Sequence, residues 1–540
     1  MKKIMLTGCL SLLTLFTLAQ APYVSKVWVA DNGDGTYKNP IIYADYSDLD
    51  VCRAGDDYWM TASSFNSSPG LPILHSKDMV NWTIVSHALP RQSPTEVFDI
   101  PQHGKGVWAP SFRFHNDEFY IYWGDPDFGI YMIKTADPLG TWSDPVLVKG
   151  GKGLIDPCPF WDEDGRAYVA YAYAGSRAGV KSVLAVCEMT PDGTRAITEG
   201  RLVFDGHENH PTIEGPKFHK REGYYWIFAP AGGVATGWQL AMRSKDIYGP
   251  YEERVILAQG DAPFNGPHQG AWVDTPSGED WFFHFQDVGT VGRIVHLQPM
   301  KWVNGWPVAG IDTDGDGTGE PVLTYKKPNV GSTYPITTPV ENDEFDALTL
   351  GLQWQWQANY QPTWAYYAGP LGYMRLFGIF APEHGEYGNL WDVPNMLLQK
   401  FPAPDFSAVT KITYKPAQIG ERAGFIVQGR SYALLSVENT EDGLVLSQVD
   451  CQNADRKGKE VVNASQKLGS DTFYLKITVK DGNKCTFSYS ENGRRFTQLG
   501  TEFTAREGMW IGSKLGYFNV APRGGGYGGW LDVDWFRIEK

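Results

Sequence analysis

Glu222-Gly223-Tyr224-Tyr225-Trp226 opens on an acidic and glycine turn and runs into alternating aromatic side chains, the mark of a short, half-buried strand. The pattern returns at Asp56-Asp57-Tyr58-Trp59-Met60, Asp117-Glu118-Phe119-Tyr120-Ile121, Gly165-Arg166-Ala167-Tyr168-Val169 and Glu279-Asp280-Trp281-Phe282-Phe283. Partner strands keep the rhythm, ending in Ser76-Lys77-Asp78, Thr135-Ala136-Asp137 and Ser244-Lys245-Asp246, with Trp82 and Trp142 after the first two. Long helical periodicity is missing, and Gly, Pro, Asn and Asp break the chain between strands. Five units of about 50 to 60 residues predict an all-β, five-bladed β-propeller, each blade a small sheet packed on its neighbours.

A residue with chemical potential precedes each aromatic strand at a nearly constant interval. Asp48 comes before Tyr58, Trp108 before Phe119, Asp156 before Tyr168, Glu214 before Tyr224 and His268 before Trp281, with gaps of 10, 11, 12, 10 and 13 residues. If each sits on the innermost strand of its blade, all five converge on the central channel. Three of them are carboxylates, which repel one another and lose water there, raising at least one pKa. A single such Asp is as readily a turn cap beside Pro or Ser. Five positions in phase are not explained that way.

Composition narrows the chemistry. The 540 residues exceed one hydrophobic core and predict a catalytic domain plus a further module. Net charge is −15 with no basic block, which argues against nucleic acid and suits a neutral substrate. Aromatic content is 14%, and such rings stack on sugars or fill β-cores, the core being the reading for most of them. Lys2-Lys3, a mostly apolar run to Leu18 and small residues at Ala19 and Ala21 read as a signal peptide over residues 1–21. Secreted or periplasmic release is expected. Leu6-Thr7-Gly8-Cys9 resembles a lipoprotein box, but the apolar run before Cys9 is too short to favour lipid anchoring. The remaining Cys52, Cys158, Cys187, Cys451 and Cys485 have no CxxC spacing; a Cys451–Cys485 bridge is open, and buried thiols are expected for the others.

Glycoside hydrolysis needs one carboxylic acid to protonate the leaving oxygen and one carboxylate to activate water or attack the sugar. Glu214, in Thr212-Ile213-Glu214-Gly215-Pro216-Lys217, suits the acid role; the competing reading pairs it with Lys217 as a surface carboxylate. Asn39-Pro40-Ile41-Ile42 with Asp45-Tyr46-Ser47-Asp48-Leu49-Asp50-Val51, Trp108-Ala109-Pro110-Ser111, Gly153-Leu154-Ile155-Asp156-Pro157, Glu214-Gly215-Pro216 and Gly266-Pro267-His268-Gln269-Gly270 together resemble the blade motifs of family-43 glycoside hydrolases. The resemblance implies an inverting mechanism with Asp48 as general base, Glu214 as general acid and Asp156 as the residue that orients the acid and raises its pKa. Asp45 and Asp50 are the competing carboxylates near Asp48, and Leu49 stands where the family usually has Pro. It further implies that His268 lies beneath the sugar, in some relatives beside a calcium ion, and that Gln269 and Arg293 belong to the substrate site. No cofactor is required. Phe65 and Trp108 are candidates for stacking on the sugar or for core packing.

The catalytic propeller is expected over residues 22–325, a Pro-, Thr- and Ser-rich linker over 326–340 and a β-sandwich over 341–540. Strand patterns such as 408–414 and 473–479 support the sandwich, which resembles the lectin-like module of the same family and either lends a loop to the site or binds glycan on its own. Asp312-Thr313-Asp314-Gly315-Asp316-Gly317 lacks the helices and spacing of an EF-hand and reads as a polar surface loop. The expected activity is exo-acting release of terminal α-L-arabinofuranose from plant hemicellulose, arabinoxylan or arabinosylated xyloglucan. β-D-Xylosidase and a non-catalytic carbohydrate-binding propeller are the alternatives.

Overall fold

The computed structural model describes residues 22–380, 389–524 and 526–540, so the expected signal segment and Cys9 lie outside the described residues. Five four-stranded antiparallel sheets follow one another in chain order. Their innermost strands are Asp50–Ala54, Trp108–His115, Leu154–Trp161, Lys217–Arg221 and His268–Asp274. The aromatic repeat supplies the second strand of every blade: Asp57–Thr61, Glu118–Asp125, Ala167–Tyr173, Tyr224–Ala231 and Asp280–Asp287. Alternation explains why. One side of each strand packs on the neighbouring blade, so Tyr58, Tyr168, Trp226 and Trp281 are all buried.

No blade shares a strand with another, since the four strands of blade one and of blade five are each contiguous in sequence. The N-terminal segment closes the ring instead. Thr36–Lys38 pairs antiparallel with Thr324–Lys326, and Ile41 N donates to Val295 O of blade five at 2.8 Å. Asn39, buried between them, donates to Leu297 O at 2.8 Å and Val322 O at 2.9 Å and accepts from Leu297 N at 2.9 Å.

Beyond the propeller, two eight-stranded sheets pack face to face as a β-sandwich around Trp354, Phe425, Tyr517 and Phe536. Cys451 and Cys485 are both free and buried, lying in opposite sheets and in different apolar clusters, so the open bridge does not form. Residues 327–340 hold no strand or helix, yet they form a strap: Thr338 N donates to Tyr23 O at 3.0 Å and Ser25 donates to Glu341 at 3.0 Å.

Asn39→Ala removes all three closing hydrogen bonds and leaves buried backbone groups unpaired. It is expected to cost about 2–3 kcal/mol, read as a lower urea midpoint; an unchanged midpoint would show that the ring closes without this side chain.

Candidate active site

All five in-phase residues fall at the same end of the propeller. Trp108 and His268 begin their inner strands, Asp156 lies near the start of its own, and Asp48 and Glu214 sit two and three residues ahead of theirs. At this end each inner strand, or the turn into it, carries a left-handed backbone position: Asp48 (φ 51°), Ala109 (28°), Asp156 (56°), Gly215 (57°) and Gln269 (38°). Strand pairing also slips between Trp108 and Ser111, Ile155 and Cys158, and His268 and Gly270. Such bulges bend a strand and re-aim its side chains, and non-glycine residues adopt this backbone only where the surroundings hold it. At Gly215 the need for glycine is direct, because a Cβ there would lie 2.9 Å from the Gln269 side chain.

The re-aimed side chains enclose a cavity of about 230 Å³ lined by Asp48, Asp156, Glu214, Gln269 and Arg293, with Phe65, Trp108 and Trp510 forming its aromatic wall. That is small against the roughly 300–1,000 Å³ of sites for larger ligands. Asp48 accepts hydrogen bonds from Ser47 Oγ at 2.8 Å, Ser63 Oγ at 2.7 Å and Arg293 at 2.7 Å. Of the three acids on its segment only Asp48 lines the pocket. Asp45 bonds Arg293 N and Gly512 N, while Asp50 accepts from Arg113 and Phe112 N below the cavity.

Glu214 does not pair with Lys217, whose buried ammonium donates to Pro110 O and Ser111 Oγ at 2.9 Å. Its side chain is 24% exposed through the mouth of the pocket and otherwise enclosed. Burial, and then the negative charges of Asp156 and Asp48, push its carboxyl up to about 8. Asp156 is raised to about 7, mainly by burial and then by Asp48, against the opposing Gly215 N–H. That N–H donates to Asp156 Oδ2 at 2.8 Å and Gln269 Nε2 donates to the same oxygen at 3.3 Å, so Asp156 grips the backbone next to Glu214. Thus the one carboxyl group facing the mouth keeps its proton at neutral pH.

His268 is fully buried with Nε2 3.5 Å from Glu214, and burial drives it down to about 3, so its ring is neutral. Neither ring nitrogen has a hydrogen-bond partner among the described residues. Calcium prefers six to eight oxygen ligands, and one imidazole beside one protonated acid does not make such a cage. Asp312, Asp314 and Asp316 bring their carboxylates within 4.8 Å of one another on an exposed loop, and none of the three lines the pocket.

The cavity is blind. Below it on the same inner strands, Arg113 bonds Asp50 at 2.6 Å and Cys158 at 3.0 Å, and the Lys217 ammonium lies 3.6 Å from Asp50, filling the channel with paired charge. Above it, the sandwich supplies Trp510, whose ring meets Trp108 edge-to-face at 6.0 Å; Trp108 in turn meets Phe65 at 6.5 Å. Sequence reasoning missed Trp510. Its setting, Gly508-Met509-Trp510-Ile511-Gly512, marks only an aromatic loop between glycines. Ser47 and Ser63, the hydroxyls on Asp48, carry no signal beyond small polar residues near an acid.

Residues 37–307 match the family described as glycosyl hydrolases family 43, and residues 342–539 match the β-xylosidase C-terminal concanavalin A-like domain. A protein of Xylanibacter ruminicola provisionally named a β-xylosidase is 37% identical over 91% of this chain and 88% of its own. The β-xylosidase of Formosa agariphila is 34% identical over 94% of this chain and 91% of its own. The non-reducing end α-L-arabinofuranosidase BoGH43B of Bacteroides ovatus is 30% identical over 75% of this chain and 76% of its own.

Three outcomes follow from this geometry. Because a raised pKa means that Glu214 loses its proton only as pH climbs through about 8, activity should fall on the alkaline side there. Asp156→Asn keeps an acceptor for Gly215 but removes a charge, so the alkaline limb of kcat/KM should move to lower pH; an unmoved limb would remove Asp156 from this role. Trp510→Ala should raise KM for a small glycoside by about tenfold, the equivalent of roughly 1.4 kcal/mol of ring contact, with a smaller change in kcat. An unchanged KM would make the sandwich a bystander.

Proposed function

This chain belongs to glycosyl hydrolase family 43, and within that family we propose that it is an exo-acting, inverting β-D-xylosidase that removes terminal xylose from xylo-oligosaccharides. The observation carrying this reading is the blind pocket in which a protonated carboxyl, Glu214, shares one small cavity with an Arg-paired carboxylate, Asp48. A pocket plugged below admits the end of a chain but not its middle. Terminal release is the reaction such a shape supports.

In the proposed mechanism Asp48 takes a proton from a water molecule as that water attacks the anomeric carbon. Glu214 gives its proton to the departing glycosidic oxygen as the bond to the sugar breaks, and proton exchange with solvent afterwards returns Asp48 to the carboxylate and Glu214 to the acid. Asp156 holds the Glu214 proton in place by charge and fixes its turn through Gly215. Arg293 and the two serines set the Asp48 carboxylate and leave guanidinium donors for sugar hydroxyls. Phe65, Trp108 and Trp510 offer their ring faces and edges to the apolar side of the pentose.

The sequence expectation put arabinofuranose first. The relatives at 37% and 34% identity carry β-xylosidase names, and this moves the reading to xylose. α-L-Arabinofuranosidase activity is the second reading, favoured by the BoGH43B relative at 30%. The N-terminal Lys2-Lys3 and apolar run support action outside the cytoplasm.

Paired assays on 4-nitrophenyl β-D-xyloside and α-L-arabinofuranoside test the choice, with the larger kcat/KM expected for the xyloside; the reverse order would install the second reading. Asp48→Asn and Glu214→Gln should each lower turnover by about 10³-fold or more while the fold survives. Retained turnover in Asp48→Asn would remove Asp48 from the base role, absence of turnover in the unaltered protein would favour a carbohydrate-binding propeller, and a first-formed anomer of retained configuration by proton NMR would overturn inversion.

A further inference from the structure

The propeller has a second mouth. At the end of the channel opposite the catalytic pocket, the inner strands of all five blades open into a basin of about 440 Å³, larger than the catalytic cavity. The Asp50, Arg113 and Lys217 plug separates the two, so nothing bound in one reaches the other.

The basin is built from rings and paired charges. His115 stacks on Trp161 with centroids 4.4 Å apart and planes 10° from parallel. Trp272 lies across the basin, 5.0 Å from the His219 ring, and Phe114 is 40% exposed on the wall. Nε2 of His219, buried deeper, has no hydrogen-bond partner among the described residues. Three cations line or floor the basin, and each is matched: Arg53 to Asp274 at 2.9 Å, Arg113 to Asp50 at 2.6 Å and Lys220 to Asp162 at 2.5 Å. With its positive charge already neutralised, the basin has no excess to offer an anion. Its flat aromatic faces match the C–H faces of a sugar ring, while guanidinium, ammonium and imidazole groups at their edges match hydroxyls. An apolar ligand would strand those polar groups away from water, at a cost.

We propose that this basin is a second, non-catalytic binding site for a neutral oligosaccharide, which holds a chain against the enzyme independently of the pocket where its ends are cut. The choice of a β-1,4-linked xylo-oligosaccharide as ligand rests on the proposed xylosidase activity; the site itself does not. Its position on the opposite face leaves the catalytic mouth free, so a polymer captured there raises the local concentration of chain ends without blocking them.

Calorimetric titration of full-length Asp48→Asn protein with xylohexaose tests this, with two binding events per chain expected. Adding Phe114→Ala should weaken one event at least tenfold and leave the other unchanged. In the otherwise unaltered enzyme, Phe114→Ala should leave kcat/KM for 4-nitrophenyl β-D-xyloside as it was. Arg53→Gln, at a partly exposed ion pair, gives a second variant, and thermal melting shows that both fold. A single event, a second event insensitive to both variants, or displacement by inorganic phosphate would overturn the proposal. Failure of the xylosidase reading shows elsewhere, in a larger kcat/KM for 4-nitrophenyl α-L-arabinofuranoside than for the xyloside.

Discussion

Three carboxyl groups share one small, largely enclosed pocket, and the rest of the structure answers to the repulsion between them. Desolvation and mutual charge raise Glu214 and Asp156 together, so the cluster holds fewer negative charges than acids at neutral pH. What decides their roles is the placement of counter-groups. Arg293 and two serine hydroxyls converge on Asp48, a backbone N–H and an amide converge on Asp156, and Glu214 lies beside the neutral His268, with Arg293 and Lys181 acting on it by charge alone. A protonated acid beside a paired carboxylate is thereby built from chemically similar side chains through unequal surroundings.

Holding that arrangement requires the same local distortion five times. Left-handed positions at or beside each site residue turn side chains that regular strands would point between blades toward the axis. Each such position is unfavourable for a side-chain-bearing residue, and the stacked blades with their buried aromatic second strands supply the rigidity that holds it. Stability and site are joined here: the core keeps the kinks, and the kinks aim the acids.

Asp45 extends the coupling to the sandwich. One carboxylate oxygen accepts from Arg293 N and the other from Gly512 N, so the same side chain holds the strand carrying the pocket arginine and the loop carrying Trp510. Lys514 reinforces the contact by donating to Ser67 at 2.7 Å, and His103 stacks on Trp391 at 3.7 Å. The second domain is a wall of the site as well as a neighbour of it.

The sequence by itself determined the propeller, the sandwich and which residues meet at the channel, because strand alternation and a repeat near 55 residues are local properties that recur in register. Asp48, Asp156 and Glu214 were legible for that reason: each keeps step with an aromatic strand. Only the tertiary structure decided the rest. That Asp48 faces the pocket while Asp45 ties two domains and Asp50 plugs the channel depends on a backbone turn at Asp48 that alternation does not encode. Trp510 closes the site from more than two hundred residues beyond the last blade. Its role exists only because folding brings the loop there, and a contact between distant segments leaves no period to read in the chain.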